Sequence, residues 1–193
     1  MQVTLKFCTP DPEAHIGAAA AMCYDSSTER DACLRRAAHC MNVQHLATLR
    51  FASADFEITG ISRVASHQIV RVAHAGVLQR SQRYVAESSV EYIDPPAVAR
   101  APEHFRHAWA KLQADAEDLY LYAIDQGLMK KEDARYILPQ GCTTGLRICG
   151  NFQMWHDLLA NRVAPKAQWE VRAVAREILR QLNEHAPGVF PLM

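Results

Sequence analysis

Neither sign of charge is in excess in this sequence: Lys and Arg together number 21, as do Asp and Glu, over 193 residues. Without a net field there is nothing to draw in a polyanion, so nucleic acid is not expected as a partner, and an anionic ligand has to be held by arginines clustered locally. Also missing is any apolar run near the roughly 18 residues that a spanning helix needs, which argues against a membrane partner. The opening MQVTLKFCTP lacks the basic-then-apolar layout of a signal peptide, and the expectation is a cytoplasmic protein. Cys8, Cys23, Cys33, Cys40, Cys142 and Cys149 form no CxxC pair, and the surroundings of His39 and Cys40 lack the second close pair a zinc site requires. No metal is expected. Nor does any cysteine lie in an electropositive turn of the kind that activates a thiolate, so the six read as buried free thiols rather than nucleophiles. Internal repeats, low-complexity tracts and linkers are absent too.

What is present is ordinary globular composition, 49% hydrophobic and 22% charged, enough for one domain over residues 1–193 with its own core. Residues 2–8 alternate as a strand does. DPEAHIGAAAAMCY and TERDACLRRAAHCM carry apolar positions at helical spacing, with Asp11 and Ser27 as caps. LATLRFASADFEITGIS is rich in β-branched and aromatic residues and predicts one long strand or two shorter ones. SRVASHQIVRVAH then predicts a helix capped by Ser62 and interrupted at Ala75 and Gly76, and RYVAESSVEYI a further strand closed by Asp94-Pro95-Pro96. From Glu103 to Gln126 a helix places Phe105, Trp109, Leu112, Ala116, Leu119 and Ala123 on one face and ends at Gly127. A short helix KEDARYI, a strand CTTGLRI and two helices, NFQMWHDLLANRV and KAQWEVRAVAREILRQLNEH, complete the chain. The fold class is α+β: a mixed or antiparallel sheet flanked by long helices.

The segment QIVRVAHAGVLQRSQRY sets Gln68, Arg71, Arg80, Ser81 and Arg83 around a turn that follows a helix. Guanidinium forks and backbone N–H groups both donate to phosphate oxygens, so such a turn suits a phosphate, although on spacing alone a solvated basic helix end is the better reading. A second cluster follows. Arg135 precedes Leu138-Pro139, and Arg162 closes a helix carrying Asn151, Gln153 and Asp157, with AQWEVR directly after it.

Together these blocks resemble the flavin-dependent thymidylate synthases. That family carries an Arg-His-Arg triplet, then seven residues and a serine, in a stretch that begins with Gln and ends in Arg-Tyr. Here Gln68 and Arg71 open the stretch and Ser81, Arg83 and Tyr84 close it at the same spacing. ARYILP resembles the family's Arg-x-x-Leu-Pro element, and NFQMWHDLLANRVAPKAQWEVR its Asn-led helix ending in Arg with Ala-Gln-x-Glu after it. HCMNVQH resembles a His-x-x-x-x-Glu-His element, which would bring His39 and His45 near the site. The departures are Val72 and Ala73 in place of the triplet's His and second Arg, Gly76 for Ser, Leu78-Gln79 for Asn-Glu, Gln44 for Glu, Gln153 for Arg, and Asp157 near a usual Asn or His.

The resemblance implies transfer of a one-carbon unit from methylenetetrahydrofolate to C5 of a deoxypyrimidine monophosphate, dUMP to dTMP, with FAD as hydride carrier and NADPH as reductant. It implies nucleotide binding by Gln68, Arg71, Gln79, Ser81, Arg83, Arg135 and Arg162, with Arg162 and Ser81 catalytic. It implies flavin binding by His39, Met41, Arg71, His74, Gln79, Asn151, Gln153 and Asp157, with His74 or Arg80 as replacement donors for the lost triplet residues. A homotetramer with shared sites is implied as well. The uneven departures leave open a hydroxymethyl product formed by water capture, deoxycytidylate as the substrate, and a paralogue that binds nucleotide without turnover.

Overall fold

The strand expected at residues 2–8 forms as β1 (Gln2–Cys8) in the computed structural model of the protein, which describes residues 1–85 and 90–192. It lies at one edge of a four-stranded antiparallel sheet with β2 (Ser53–Ser62), β3 (Gly76–Gln79) and β4 (Thr143–Asn151), in the order β1-β2-β4-β3. Alternation decides which face is covered. Ala54, Phe56 and Ile58 of β2 and Leu146 and Ile148 of β4 are buried. Their neighbours Asp55 and Arg147 face the other way and meet in a bidentate ion pair, with Arg147 Nη2 2.5 Å from Asp55 Oδ2.

Helices α7 (Phe152–Arg162) and α8 (Trp169–His185) cover the buried face. Trp155 meets Phe56 edge to face at 5.0 Å, and its indole Nε1–H donates to the Ala54 carbonyl at 3.1 Å, so the largest core side chain keeps its one polar atom bonded. Helices α1 (Pro12–Ala21) and α2 (Arg30–Asn42) pack against each other beside them.

The helix starts around the site are set by polar side chains at ends of the sheet. Ser62 closes β2 and caps α3 (Arg63–Ile69), its Oγ accepting from the Ala65 N–H at 3.1 Å. Asn151 closes β4 and caps α7 through Met154 N–H at 2.9 Å, and Gln168 caps α8 through Glu170 and Val171 N–H. Glu170, 4% exposed, accepts from both the Ser62 N–H and the Ser62 hydroxyl at 2.6 Å. The start of α8 is thereby fixed to the β2–α3 corner.

Several sequence expectations are corrected. Leu46–Phe51 is a 3-10 helix, not strand, because Leu49 turns into the core while Arg50 and Phe51 point out, a pattern of threes rather than twos. Helix α3 stops at Ile69, and the next residues turn through His74 at φ 64° into β3, a strand too short for alternation to reveal and held by pairing with β4. The strand expected over 83–93 is not formed at residues 83–85, which turn, and among its described residues Tyr92 alone makes a bridge, to Cys142. Its residues 86–89 lie outside the described residues. Asp11 stands at the N-cap of α1 without a cap bond, since its carboxylate takes Arg30 instead, and the N-cap position of α2 falls to Glu29, which makes no side-chain cap bond, while Ser27 Oγ accepts from the Glu29 N–H.

Helix α5 (Glu103–Asp125) ends as expected before Gly127, whose φ is 64°. Its apolar face is not core, however. Phe105, Leu112 and Leu119 are 45%, 60% and 54% exposed, and only the C-terminal part, through Tyr120 and Ala123, enters a small second cluster with Ala134, Leu138 and Cys142. Periodicity reports that a face exists and not what covers it. Helices α4 (Pro96–Ala99) and α6 (Lys131–Ala134) are single turns on either side of it.

Removing Glu170 strands two buried donors at Ser62. Glu170→Ala is expected to cost about 2–4 kcal/mol, seen as a lowered urea midpoint, and a midpoint within experimental error of the parent would refute the clamp.

Candidate active site

Two adjoining pockets open where α3, the turn after it and α7 meet. The larger, about 510 Å³, is lined by Gln68, Arg71, Asp157, Asn161, Arg162 and Lys166 among others. The second, about 370 Å³, is lined by Arg50, His74, Asn151, Gln153, Met154 and Asp157. Val72, Ala73 and Asp157 belong to both walls. Each is within the usual size range of a small-molecule site.

Three cationic residues, Arg71, Arg162 and Lys166, line the larger pocket. Arg162 is at the last turn of α7, whose Leu158 and Leu159 are buried, so its stem leaves a fixed surface. One guanidinium Nη2–H donates to the Gln68 carbonyl at 3.2 Å, which ties the end of α7 to the end of α3 and orients the head group. Arg71 follows α3 in the turn, and Lys166 comes from the loop between α7 and α8. One acid, Asp157, faces the three cations, and Gln153 Nε2 donates to it at 3.0 Å. The arrangement suits a small anion carrying further polar atoms.

A third pocket, about 290 Å³, contains Arg63, His67, Gln82 and Arg135. Arg63 and His67 are one turn apart on α3. Arg135 donates to the Glu132 carbonyl at 2.9 Å, and the Glu132 carboxylate holds Arg83 at 3.2 Å. Arg83 also lies over the Tyr84 ring, 5.5 Å from its centroid.

The expected site residues are therefore only partly assembled. Gln68, Arg71 and Arg162 share one pocket, and His74, Asn151, Gln153 and Asp157 share its neighbour. Arg135 belongs to the third, with Arg83 next to it through Glu132. Ser81 lines none of them and accepts the Arg83 N–H at 3.3 Å. Gln79 is turned under α3, donating to Ser66 Oγ at 2.9 Å and Thr144 Oγ1 at 3.4 Å. His39 is exposed on α2 and Met41 packs partly against the core, and neither reaches these walls. Arg50, Lys166, Arg63 and His67 were missed. Arg50 lies in a segment whose composition predicts strand, and Lys166 stands at the start of the expected helix KAQWEVR, which begins only at Trp169; the α3 pair has an i, i+4 spacing that places both side chains on one face.

The chain matches the family described as thymidylate synthase complementing protein over residues 4–188. A flavin-dependent thymidylate synthase of Geobacter sulfurreducens is 35% identical over 203 residues, which cover 98% of this chain and 85% of that one. The chain belongs to the flavin-dependent thymidylate synthase family. A second relative of the same name, from Clostridium tetani, is 29% identical over 98% of this chain and 85% of its own. The crystal structure of thymidylate synthase X from Helicobacter pylori with FAD and dUMP has the same fold, with a TM-score of 0.77 and 22% identity over 99% of this chain and 97% of that one.

Within this family the chain keeps Arg71 but not its two followers, and the structure shows what that does locally. Val72 and Ala73 form an apolar partition between two polar pockets. Gly76, in place of the family's serine, lets Cys149 approach: a Cβ there would stand 2.8 Å from Cys149 Sγ. Of the six thiols, Cys33, Cys40 and Cys142 are buried as expected, Cys8 is half-buried, and Cys23 and Cys149 are exposed. None lines any of the three pockets. No single Cys→Ala change is expected to abolish turnover, and complete loss in any one well-folded cysteine variant would overturn a thiol-independent site.

Proposed function

We propose that this chain converts dUMP to dTMP, taking the carbon from methylenetetrahydrofolate and using FAD reduced by NADPH. The observation that carries the reading is the larger pocket, which gathers Gln68, Arg71 and Arg162 from two helices and a turn beside a second polar pocket. Arg71 and Lys166 offer permanent cations for the anionic nucleotide. Arg162 is the group best placed to hold charge on the base. Its guanidinium is oriented by the Gln68 carbonyl, stays protonated, and can stabilise the negative charge that develops when the pyrimidine N3 gives up its proton. That electron density makes C5 nucleophilic without a thiolate. C5 forms the new bond to the methylene carbon as that carbon's bond to one folate nitrogen breaks; C5 then loses its own proton as the bond to the second folate nitrogen breaks, which releases tetrahydrofolate and leaves a methylene group on C5.

The donors of the neighbouring pocket, His74, Arg50 and the Gln153 amide, fit a flavin nucleotide. Bound there, reduced flavin supplies the hydride that turns the methylene into a methyl group. Val72 and Ala73 give the flavin side an apolar edge.

The third pocket and the uncovered face of α5 support a shared-site assembly. Arg135 and Arg83 lie apart from Arg71 and Arg162 in one chain, and Phe105, Leu112 and Leu119 form an exposed apolar row on α5 that suits burial against another chain. We read residues 1–193 as one domain of a homotetramer, acting in the cytoplasm, in which Arg135 and Arg83 complete a partner's nucleotide site. No helix among the described residues is long and apolar enough to cross a membrane.

Purified protein is expected to be yellow and, given labelled methylenetetrahydrofolate, NADPH and dUMP, to form labelled dTMP. 5-Hydroxymethyl-dUMP, or product only from dCMP, would overturn the reading. Arg162→Ala is expected to lower turnover about 100- to 1000-fold while shifting stability by no more than about 1 kcal/mol; wild-type turnover would remove Arg162 from catalysis. In sedimentation the protein should run as a tetramer at micromolar concentration, and Leu112→Glu should shift it to smaller species. A monomeric parent would sink the shared site.

A further inference from the structure

Arg50 was not among the residues that the sequence motifs singled out. It lies in the 3-10 helix Leu46–Phe51, is exposed, and has no hydrogen bond or ion pair among the described residues. Its segment is nevertheless fixed. Leu49 and Ala52 on either side are fully buried. The Ala52 carbonyl accepts from the Phe152 N–H at 2.8 Å, which joins this turn to the first residue of α7. Thr48 closes the turn from its other end by donating to the His45 carbonyl at 3.0 Å. A long cationic side chain thus projects from a rigid base into the pocket that holds His74, Gln153 and Asp157.

In that wall Arg50 is the sole lysine or arginine. Val72 and Ala73 carry no charge and Gln153 only an amide, whose Nε2 is engaged by Asp157 at 3.0 Å. The cations of the adjoining pocket, Arg71, Arg162 and Lys166, serve the substrate side. A dinucleotide brings a diphosphate with two negative charges, and one carboxylate already lies in the wall, so a permanent positive charge is required there. A guanidinium meets that need with two parallel N–H donors. His74, held at φ 64° in the turn before β3, adds a ring donor to the same pocket.

We propose that Arg50 holds the diphosphate of the flavin dinucleotide, with His74 as its second donor, and so replaces the charge that Val72, Ala73 and Gln153 do not supply. The assignment rests on the flavin-dependent reading above.

The test compares FAD, FMN and riboflavin binding by quenching of flavin fluorescence, in the parent protein, Arg50→Ala and Arg50→Lys. Parent protein should prefer FAD to riboflavin. Arg50→Ala should weaken FAD about 10- to 100-fold and leave riboflavin within about twofold, since riboflavin has no phosphate to lose. Arg50→Lys should recover part of the loss, because it restores charge without the fork. FAD affinity unchanged in Arg50→Ala would overturn the role of Arg50 and leave the flavin reading standing. Equal losses for FAD and riboflavin would also overturn it, by showing that Arg50 shapes the ring site instead. A parent protein that binds none of the three flavins would bring down both.

Discussion

Glu170 is a carboxylate taken out of water at the junction of sheet and helices, and the arrangement of the site depends on how that charge is satisfied. Its two oxygens take the backbone N–H and the hydroxyl of Ser62, the residue that ends β2 and begins α3. A buried carboxylate without such donors would be strongly destabilising, so the pair admits little movement between α8 and the β2–α3 corner. Gln68 and Arg71 come at the far end of α3, and Arg162 ends the helix that precedes α8. The clamp therefore governs the spacing between the two halves of the larger pocket, although Glu170 does not line it.

The same economy of polar side chains recurs around the site. Asn151 ends β4 and starts α7, and Gln168 starts α8 beside Glu170. Each satisfies N–H groups that a helix start would otherwise leave open, and each fixes where along the chain a functional side chain emerges. Arg162 is then caught from the other side by the Gln68 carbonyl. Placement to within hydrogen-bonding distance comes from these caps and from the aromatic packing of Trp155 against Phe56.

Val72 and Ala73 make the partition between the two pockets small and apolar, and the neighbouring wall is polar through Arg50 and His74, which are distant from each other in sequence. A ligand site can keep its charge while moving the residue that bears it, provided the new side chain rises from backbone as firmly held as the old.

The sequence alone determined the helices with long apolar repeats, the strands β1 and β4, the Ser62 and Asn151 positions, and the family to which the motifs belong. Those features are local, and propensity and spacing record local preferences directly. Tertiary structure alone decided that Leu46–Phe51 coils as a 3-10 helix, that α3 ends early, and that Gly76–Gln79 joins the sheet edge, because each depends on a partner remote in sequence. It also decided which arginines share a pocket. Arg71 and Arg162 line one pocket because the end of α7 is tied to the end of α3, whereas Arg83 and Arg135, equally prominent in the motifs, are held by Glu132 on another surface. Motif order along a chain carries residue identity, but distance between side chains is fixed only when the helices that bear them pack.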